Sequence, residues 1–227
     1  FLRLPNELLT KILALLPPKD RLKARVNKRL NEIEAQSKFH VKEFRIVEIP
    51  DMFRRLAFRS PQDFYFSDQN PYSCACLRRL FSNTSIESLT VTLEAEGKLG
   101  QGSLIDKVRD LIKEFKNIGN LTIQFEFFVY IMDESFFLSF VQSCDELTLL
   151  GVNQIAVEAI HTVYKIIEGS AKCRRFKCDL LMGAYYLFLS RIGIEVRGRY
   201  FYSNRDDIEV LVMVRNGRNC CSIFVGN

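Results

Sequence analysis

Six short segments in which apolar and polar residues alternate constrain this chain most. They are Phe44-Arg-Ile46, Phe64-Tyr-Phe66, Leu89-Thr-Val91-Thr-Leu93, Leu121-Thr-Ile123-Gln-Phe125, Leu147-Thr-Leu149 and Phe176-Lys-Cys178-Asp-Leu180. A period of two puts the apolar set on one face of a strand and its neighbours on the other. Between the segments the period lengthens to that of a helix. Ser103 can cap one helix with Asp106 three residues on, and Leu104, Ile105, Val108, Leu111, Ile112 and Phe115 form its buried stripe. Asp133 opens a second, burying Phe136, Phe137, Phe140 and Val141, and Asn153 starts a third with Ala156, Ala159, Ile160, Val163 and Ile167 inward. A further helix lies near Tyr186–Arg191. Strands that alternate with helices imply a parallel sheet with its helices packed on one side.

The first anchors stand 20 to 32 residues apart (44, 64, 89, 121, 147, 176), an irregular spacing close to the leucine-rich-repeat period of one strand and one helix per unit. The end of the chain has a different texture. Ile194–Tyr202, Ile208–Val214 and Cys220–Val225 are rich in β-formers, and Asn216-Gly217 is a strong hairpin signal. The expected architecture for 41–227 is therefore an irregular leucine-rich-repeat-like α/β solenoid, with 194–227 an antiparallel β-meander that closes its open edge.

Residues 1–40 read as a separate helical module. Leu4-Pro5 marks a helix start, since proline is well placed at a first helical position. Leu8, Ile12 and Leu15 mark one apolar face, and Leu9, Leu13 and Leu16 mark a second, turned about 100° round the helix. Pro17-Pro18 stops the helix, Asp20 can cap the next, and Leu22, Ala24, Val26, Leu30 and Ile33 continue the apolar contacts. A module of roughly forty residues is too small to cover both leucine faces by itself. One face can pack on its own later helices; the other must be covered by the rest of the chain or by another protein. The net charge of +5 also sits here. Residues 1–38 hold nine Lys/Arg against Glu7, Asp20, Glu32 and Glu34, which suggests an acidic partner or nucleic acid, with a solvated helix face as the plain alternative.

The run Leu4-Pro5-x-Glu7-Leu8-Leu9-x-x-Ile12-Leu13, then Leu16-Pro17-x-x-Asp20, then Arg25-Val26-x-Lys28-Arg29 resembles the F-box, the short three-helix motif of F-box proteins. The likeness covers about residues 2–36; Leu30 stands where the family often has tryptophan and Asn27 where Cys or Ser is common. The resemblance implies docking onto a small acidic Skp-type adaptor that bridges to a cullin-based ubiquitin ligase. Leu4, Pro5, Leu8, Ile12, Leu15, Leu16 and Pro17 match the family's adaptor-facing apolar positions, with ordinary helical-hairpin core as the alternative for these leucines. The combination of this module with the following texture is similar to the large nematode F-box families.

Other chemistry finds little support. No P-loop, G-x-S-x-G or G-x-G-x-x-G occurs, and neither His40 nor His161 has partners at zinc-like spacing, so no catalyst, cofactor or metal is expected. No apolar stretch is long enough for a membrane-spanning helix. Seven cysteines, an odd count without a CxxC, read as reduced thiols in an intracellular protein, cytoplasmic or nuclear, against which stand the sequons at Asn83 and Asn120. The chain is expected to be the non-catalytic substrate-recognition subunit of a Skp–cullin–F-box ligase, with an unidentified protein client held on the polar face of the repeat strands. That face collects Arg45, Tyr65, Thr90, Thr92, Thr122, Gln124, Glu126, Thr148, Arg175, Lys177 and Asp179, of which Thr122, Gln124, Glu126, Arg175, Lys177 and Asp179 are the candidate client-binding residues. The alternatives are a leucine-rich-repeat-like scaffold with no ubiquitin role and a nucleic-acid binder using the basic 19–29 stretch. The second is disfavoured because no base-stacking aromatic lies within that stretch.

Overall fold

Anchors far apart in sequence stand side by side in the folded chain. Strands β1 (Phe39–Ile49), β3 (Thr84–Leu93), β5 (Asn117–Ile131), β6 (Cys144–Ile155) and β7 (Arg175–Leu180) run parallel. Their register pairs Phe44 with Leu89, Leu89 with Leu121, Leu121 with Leu147, and Leu147 with Phe176. The computed structural model describes residues 3–16, 18–49, 55–59, 82–94, 97–99, 104–115, 117–131, 134–156, 159, 162–163, 165, 171–180, 182–193, 195–197, 200–202, 208–215 and 218–225. The strand expected at Phe64–Phe66, and with it Tyr65, Pro17, Ser103, Asp133, Ile160, His161, Ile167 and the Asn216-Gly217 turn, lies outside these residues.

All five anchors are buried, as are the apolar residues two positions on: Ile46, Val91, Ile123, Leu149 and Cys178. A further apolar residue sits three positions before each anchor, at Val41, Ile86, Ile118, Cys144 and Cys173. Val41 pairs with Ile86, Ile86 with Ile118, and Ile118 with Cys144, so this column too runs across the sheet. The cysteines are buried free thiols, and Cys144 donates to the carbonyl of Phe140 at 3.0 Å. Its hydrogen bond with Cys173 and its burial push the Cys144 thiol well above its ordinary range.

The helices are α1 (Asn6–Leu15), α2 (Pro18–Ala24), α3 (Lys28–Gln36), α4 (Leu104–Lys113), α5 (Ser135–Ser143) and α6 (Met182–Arg191). Helices α4, α5 and α6 each send apolar residues into the same core as the inward strand residues, which is what alternating strand and helix dictate. From α4 come Val108 and Ile112, from α6 Phe188 and Leu189. Helix α5 contributes a phenylalanine cluster: Phe136 meets Phe137 and Phe140 edge-on at 5.3 and 5.2 Å between centroids, and Phe137 meets Phe176 of β7 at 6.1 Å.

At the outer ends the sheet changes direction. Strand β2 (Arg55–Arg59) pairs antiparallel with β1. At the other end β11 (Arg218–Val225) pairs antiparallel with β7, and β10 (Ile208–Arg215) pairs antiparallel with β11. The short β4 (Gly97–Leu99) runs parallel to the end of β5. The expected meander over 194–227 does not form. Strands β8 (Glu195–Arg197) and β9 (Tyr200–Tyr202) make a two-stranded sheet of their own, and only the last hairpin joins the main sheet. The physical reason is the free edge of β7, whose backbone groups need a partner; the last strand supplies it from Asn219 to Phe224.

A second departure concerns Asn153, which lies inside β6 rather than starting a helix. Strand β5 continues to Ile131, and its end holds β6 extended, with Gln154 opposite Tyr130 and Ala156 N–H bonded to the Ile131 carbonyl at 2.8 Å. The two strands keep pace only through an irregularity between Gln124 and Val129, which sit opposite Leu150 and Val152. Gly151 makes this possible: its φ is +82°, and a Cβ there would lie 2.3 Å from the Phe125 carbonyl oxygen. Gly151→Ala is therefore expected to cost about 2 kcal/mol or more. Urea unfolding of the purified chain measures it, and an unchanged midpoint would refute this role.

The helical module has its own small core of Leu9, Leu13, Leu30, Ile33 and Phe39, the last being the first residue of β1. Phe39 N–H donates to the Asn83 carbonyl at 2.9 Å, and the Asn83 amide donates to the Ala35 carbonyl at 2.7 Å. Asn83 thus ties α3 to the start of β3. No helix among the described residues is long and apolar enough to cross a membrane.

Candidate functional site

Helix α1 separates its two leucine faces. Leu9 and Leu13 are turned in and fully buried against α3 and Phe39. Leu8 is 45% exposed and Leu15 85% exposed, with Ile12 half-buried between them in sequence. Val26, in the connection between α2 and α3, is 91% exposed. Exposed aliphatic side chains on a helix whose other face is already satisfied are what a docking surface presents. Of the other adaptor-facing candidates, Pro5 is exposed just before the helix, with its carbonyl accepting from Leu9 N–H at 3.1 Å. Leu4 and Leu16 pack partly against the small core, so they divide their contacts between the module and its surface.

The basic residues of this module are not a uniform patch. Arg29 holds the start of α1: its Nη2 donates to the Asn6 side-chain oxygen at 2.7 Å and to the Leu4 carbonyl at 2.8 Å. Arg25 forms a two-pronged pair with the fully buried Glu34, Nη2 to Oε1 at 2.7 Å and Nε to Oε2 at 3.0 Å. Arg21 is 2% exposed and lies over the Phe39 ring, 4.1 Å from its centroid. Burial lowers its pKa to about 10, with Glu34 acting the other way and Arg25 lowering it further. The reading of 19–29 as a free basic stretch is corrected accordingly. Arg21, Arg25 and Arg29 are structural, and Lys23 pairs with Asp20 at 2.9 Å. Among the described side chains the exposed cations of the module are Arg3, Lys11, Lys23, Lys28 and Lys38.

On the sheet, the polar residues following each anchor line up. Arg45 sits opposite Thr90, Thr90 opposite Thr122, Thr122 opposite Thr148, and Thr148 opposite Lys177. Gln124 continues the face between Thr92 and Leu150. The residue before each anchor makes a parallel row: Glu43, Ser88, Asn120, Glu146 and Arg175. Glu43, Ser88, Asn120 and Glu146 were not among the expected face residues, although the alternation that selected Arg175 applies to them equally. Glu146 matters most, because it bonds both Arg175, at 3.0 Å, and Lys177. The two cations expected at the last repeat thus share one carboxylate within the row. Glu126, exposed, and Asp179, half-buried, keep the alternation of this face but stand apart from its rows. Glu126 falls in the irregular stretch of β5, without a register partner, and Asp179 accepts from the Val152 N–H at 3.3 Å. The aligned rows have an uncharged centre of threonine, serine and amide groups, with the pairs Arg45–Glu43 and Arg175–Glu146 at either end.

This is the geometry of a small helical module with an exposed aliphatic face on α1, joined to a strand-and-helix sheet. Residues 1–41 match the F-box domain family, so the chain carries an F-box at its helical end. F-box domains typically bind Skp-type adaptors, and the domain assigns the chain a ubiquitin-ligase adaptor role in general terms. No curated protein matches the chain.

Proposed function

We propose that this chain is the substrate-recognition subunit of a Skp–cullin–F-box ubiquitin ligase, acting inside the cell as a receptor without catalytic residues of its own. The observation that carries the reading is the outward face of α1, Leu8 and Leu15, within the segment that matches the F-box domain. The module would hold the adaptor, and through it a cullin. The sheet, read as an irregular leucine-rich-repeat-like solenoid from the columns at Ile86, Leu89 and Val91 and their neighbours, would hold a protein client. Ubiquitin transfer would follow from the raised local concentration of client lysines near the charged enzyme.

The client surface on this reading is the uncharged centre of the strand face, Thr90, Thr122, Thr148, Asn120 and Gln124, where a broad preformed face makes contact at little ordering cost. Affinity purification of the full chain tests both halves. A Skp-type adaptor and a cullin should co-purify, and Thr122→Lys combined with Gln124→Ala should remove at least one client while leaving the adaptor. Absence of the adaptor would overturn the ligase reading, and an unchanged client set would move recognition off this face. Tight, salt-steep binding of random duplex or single strands by the same protein would favour the nucleic-acid alternative instead.

A further inference from the structure

Two of the buried free thiols lie side by side. Cys144 is the first residue of β6, and Cys173 stands in the irregular connection just before β7. The two strands run parallel with Glu146 opposite Arg175, so two residues back along each, on the same face, Cys144 falls opposite Cys173. Backbone bonds hold this approach: Arg174 N–H donates to the Asp145 carbonyl at 2.8 Å, and Cys173 N–H to the Val141 carbonyl at 3.1 Å. Neighbouring strands stand about 4.8 Å apart, within the Cα separation of about 4.4–6.8 Å that a disulfide spans. The third described thiol, Cys178, has Leu149 as its neighbour on β6 and is not part of this pair.

The two thiols are not equivalent. In the neutral pair each has its own backbone acceptor, Cys144 the Phe140 carbonyl at 3.0 Å and Cys173 the Arg175 carbonyl at 3.1 Å. When Cys173 ionises, Cys144 can turn its one proton to it. That hydrogen bond, joined by the backbone N–H groups of Arg175 and Leu147, holds the Cys173 thiol below its ordinary value against the opposite pull of burial. One sulfur is thus disposed to be the thiolate, which is the nucleophilic form, and a proton donor stands beside it. Both sulfurs are shielded from solvent, so an oxidant must be small. Cys173 needs the lesser opening, because it sits between the exposed Lys172 and Arg174 in irregular chain.

We infer that Cys144 and Cys173 form a dithiol switch, which closes to a disulfide when the chain meets hydrogen peroxide and opens again on reduction. The Cys173 thiolate attacks one peroxide oxygen, the O–O bond breaks, and the hydroxide that leaves takes up a proton as water. The Cys144 thiol then attacks the sulfenic sulfur of Cys173. Its proton goes to the departing hydroxyl, so the S–S bond forms as a second water leaves. Two thiols are oxidised, and one peroxide is reduced to two waters. The bridge ties the start of β6, directly after α5, to the start of β7 and closes a loop of about thirty residues. A disulfide that forms and opens in this way is the kind that intracellular chains use for redox sensing. The inference is independent of the ligase reading: it concerns the redox state of the chain, not what it binds.

Mass spectrometry of the full chain tests it. The reduced, folded protein is treated with graded amounts of hydrogen peroxide, remaining thiols are blocked with N-ethylmaleimide during unfolding, and the chain is digested without reduction. The peptides carrying Cys144 and Cys173 are expected to be joined, two hydrogens lighter than their sum, at peroxide levels that leave Cys178 a free thiol. Dithiothreitol without denaturant should return both as free thiols. The alanine variants should differ from each other, with circular dichroism checking their fold. Cys144→Ala leaves Cys173 as a sulfenic acid that dimedone labels, whereas Cys173→Ala leaves Cys144 unlabelled. The wild-type mapping decides the linkage even if a variant fails to fold. Recovery of Cys144 and Cys173 unlinked, a bridge from either to a different cysteine, a dimedone label on Cys144 instead of Cys173, or a bridge that dithiothreitol leaves closed would each overturn the inference.

Discussion

Leu15→Asp is expected to leave the fold of this chain intact and to weaken adaptor binding by about a hundredfold or more. The two halves of that statement come from the same number. Leu15 is 85% exposed, so a carboxylate there stays in water in the free chain and changes its stability by only a few tenths of a kcal/mol. On docking, the same carboxylate would be buried without a partner, at a cost of about 3 kcal/mol or more, which is the hundredfold. Leu8→Asp should behave alike, slightly muted, because Leu8 is 45% exposed. Leu13→Asp should differ in kind: Leu13 is buried in the small core, so the module itself should unfold. Calorimetric titration with a purified Skp-type adaptor, alongside thermal unfolding of each variant, reads both effects. If Leu15→Asp binds as the wild type does, α1 does not dock through this face. If it unfolds the chain, the leucine belongs to a contact made by residues outside those described.

The separation of the α1 faces was legible in the sequence because helical periodicity alone distinguishes Leu8, Ile12 and Leu15 from Leu9, Leu13 and Leu16. Which set faces inward was not, since both are leucine-rich; it is decided by where Leu30, Ile33 and Phe39 come to lie. The strand anchors were legible for a related reason. One-sided burial imposes alternation, and alternation fixes register, so five segments of unequal spacing fall into one row from Phe44 to Phe176. What the sequence concealed were interactions that override local pattern. The extension of β6 through Asn153 depends on β5, more than twenty residues earlier, and no local signal reports it. The pairing of Arg175 and Lys177 with Glu146 crosses strands in the same way. Charge counting misled most. It treats each arginine of the module as an exposed cation, whereas a guanidinium on a long stem can reach back into its own fold.

Two neighbouring arginines should therefore respond in opposite directions when their charge is removed. Arg25→Ala leaves Glu34, which has no exposed surface, without its two-pronged partner, and removal of one member of a buried pair costs about 3–5 kcal/mol. A loss of that size is a large share of the stability of an ordinary domain, so the helical module is expected to melt well below the sheet. Arg21 is the other case. Among the described residues its Nε and Nη1 find no acceptor, and burial already disfavours its charge. Arg21→Met keeps an apolar stem over the Phe39 ring and removes a poorly satisfied cation, so stability should hold or rise. Glu34→Gln should be harmful in its turn, because it takes the countercharge from both arginines at once. Thermal unfolding of the three variants, followed by far-ultraviolet circular dichroism, orders them: Arg21→Met highest, Arg25→Ala lowest. An Arg25→Ala variant as stable as the wild type would mean that Glu34 has another way to be satisfied. An Arg21→Met variant that melts early would mean that the stacked guanidinium, and not its stem, holds Phe39 in place.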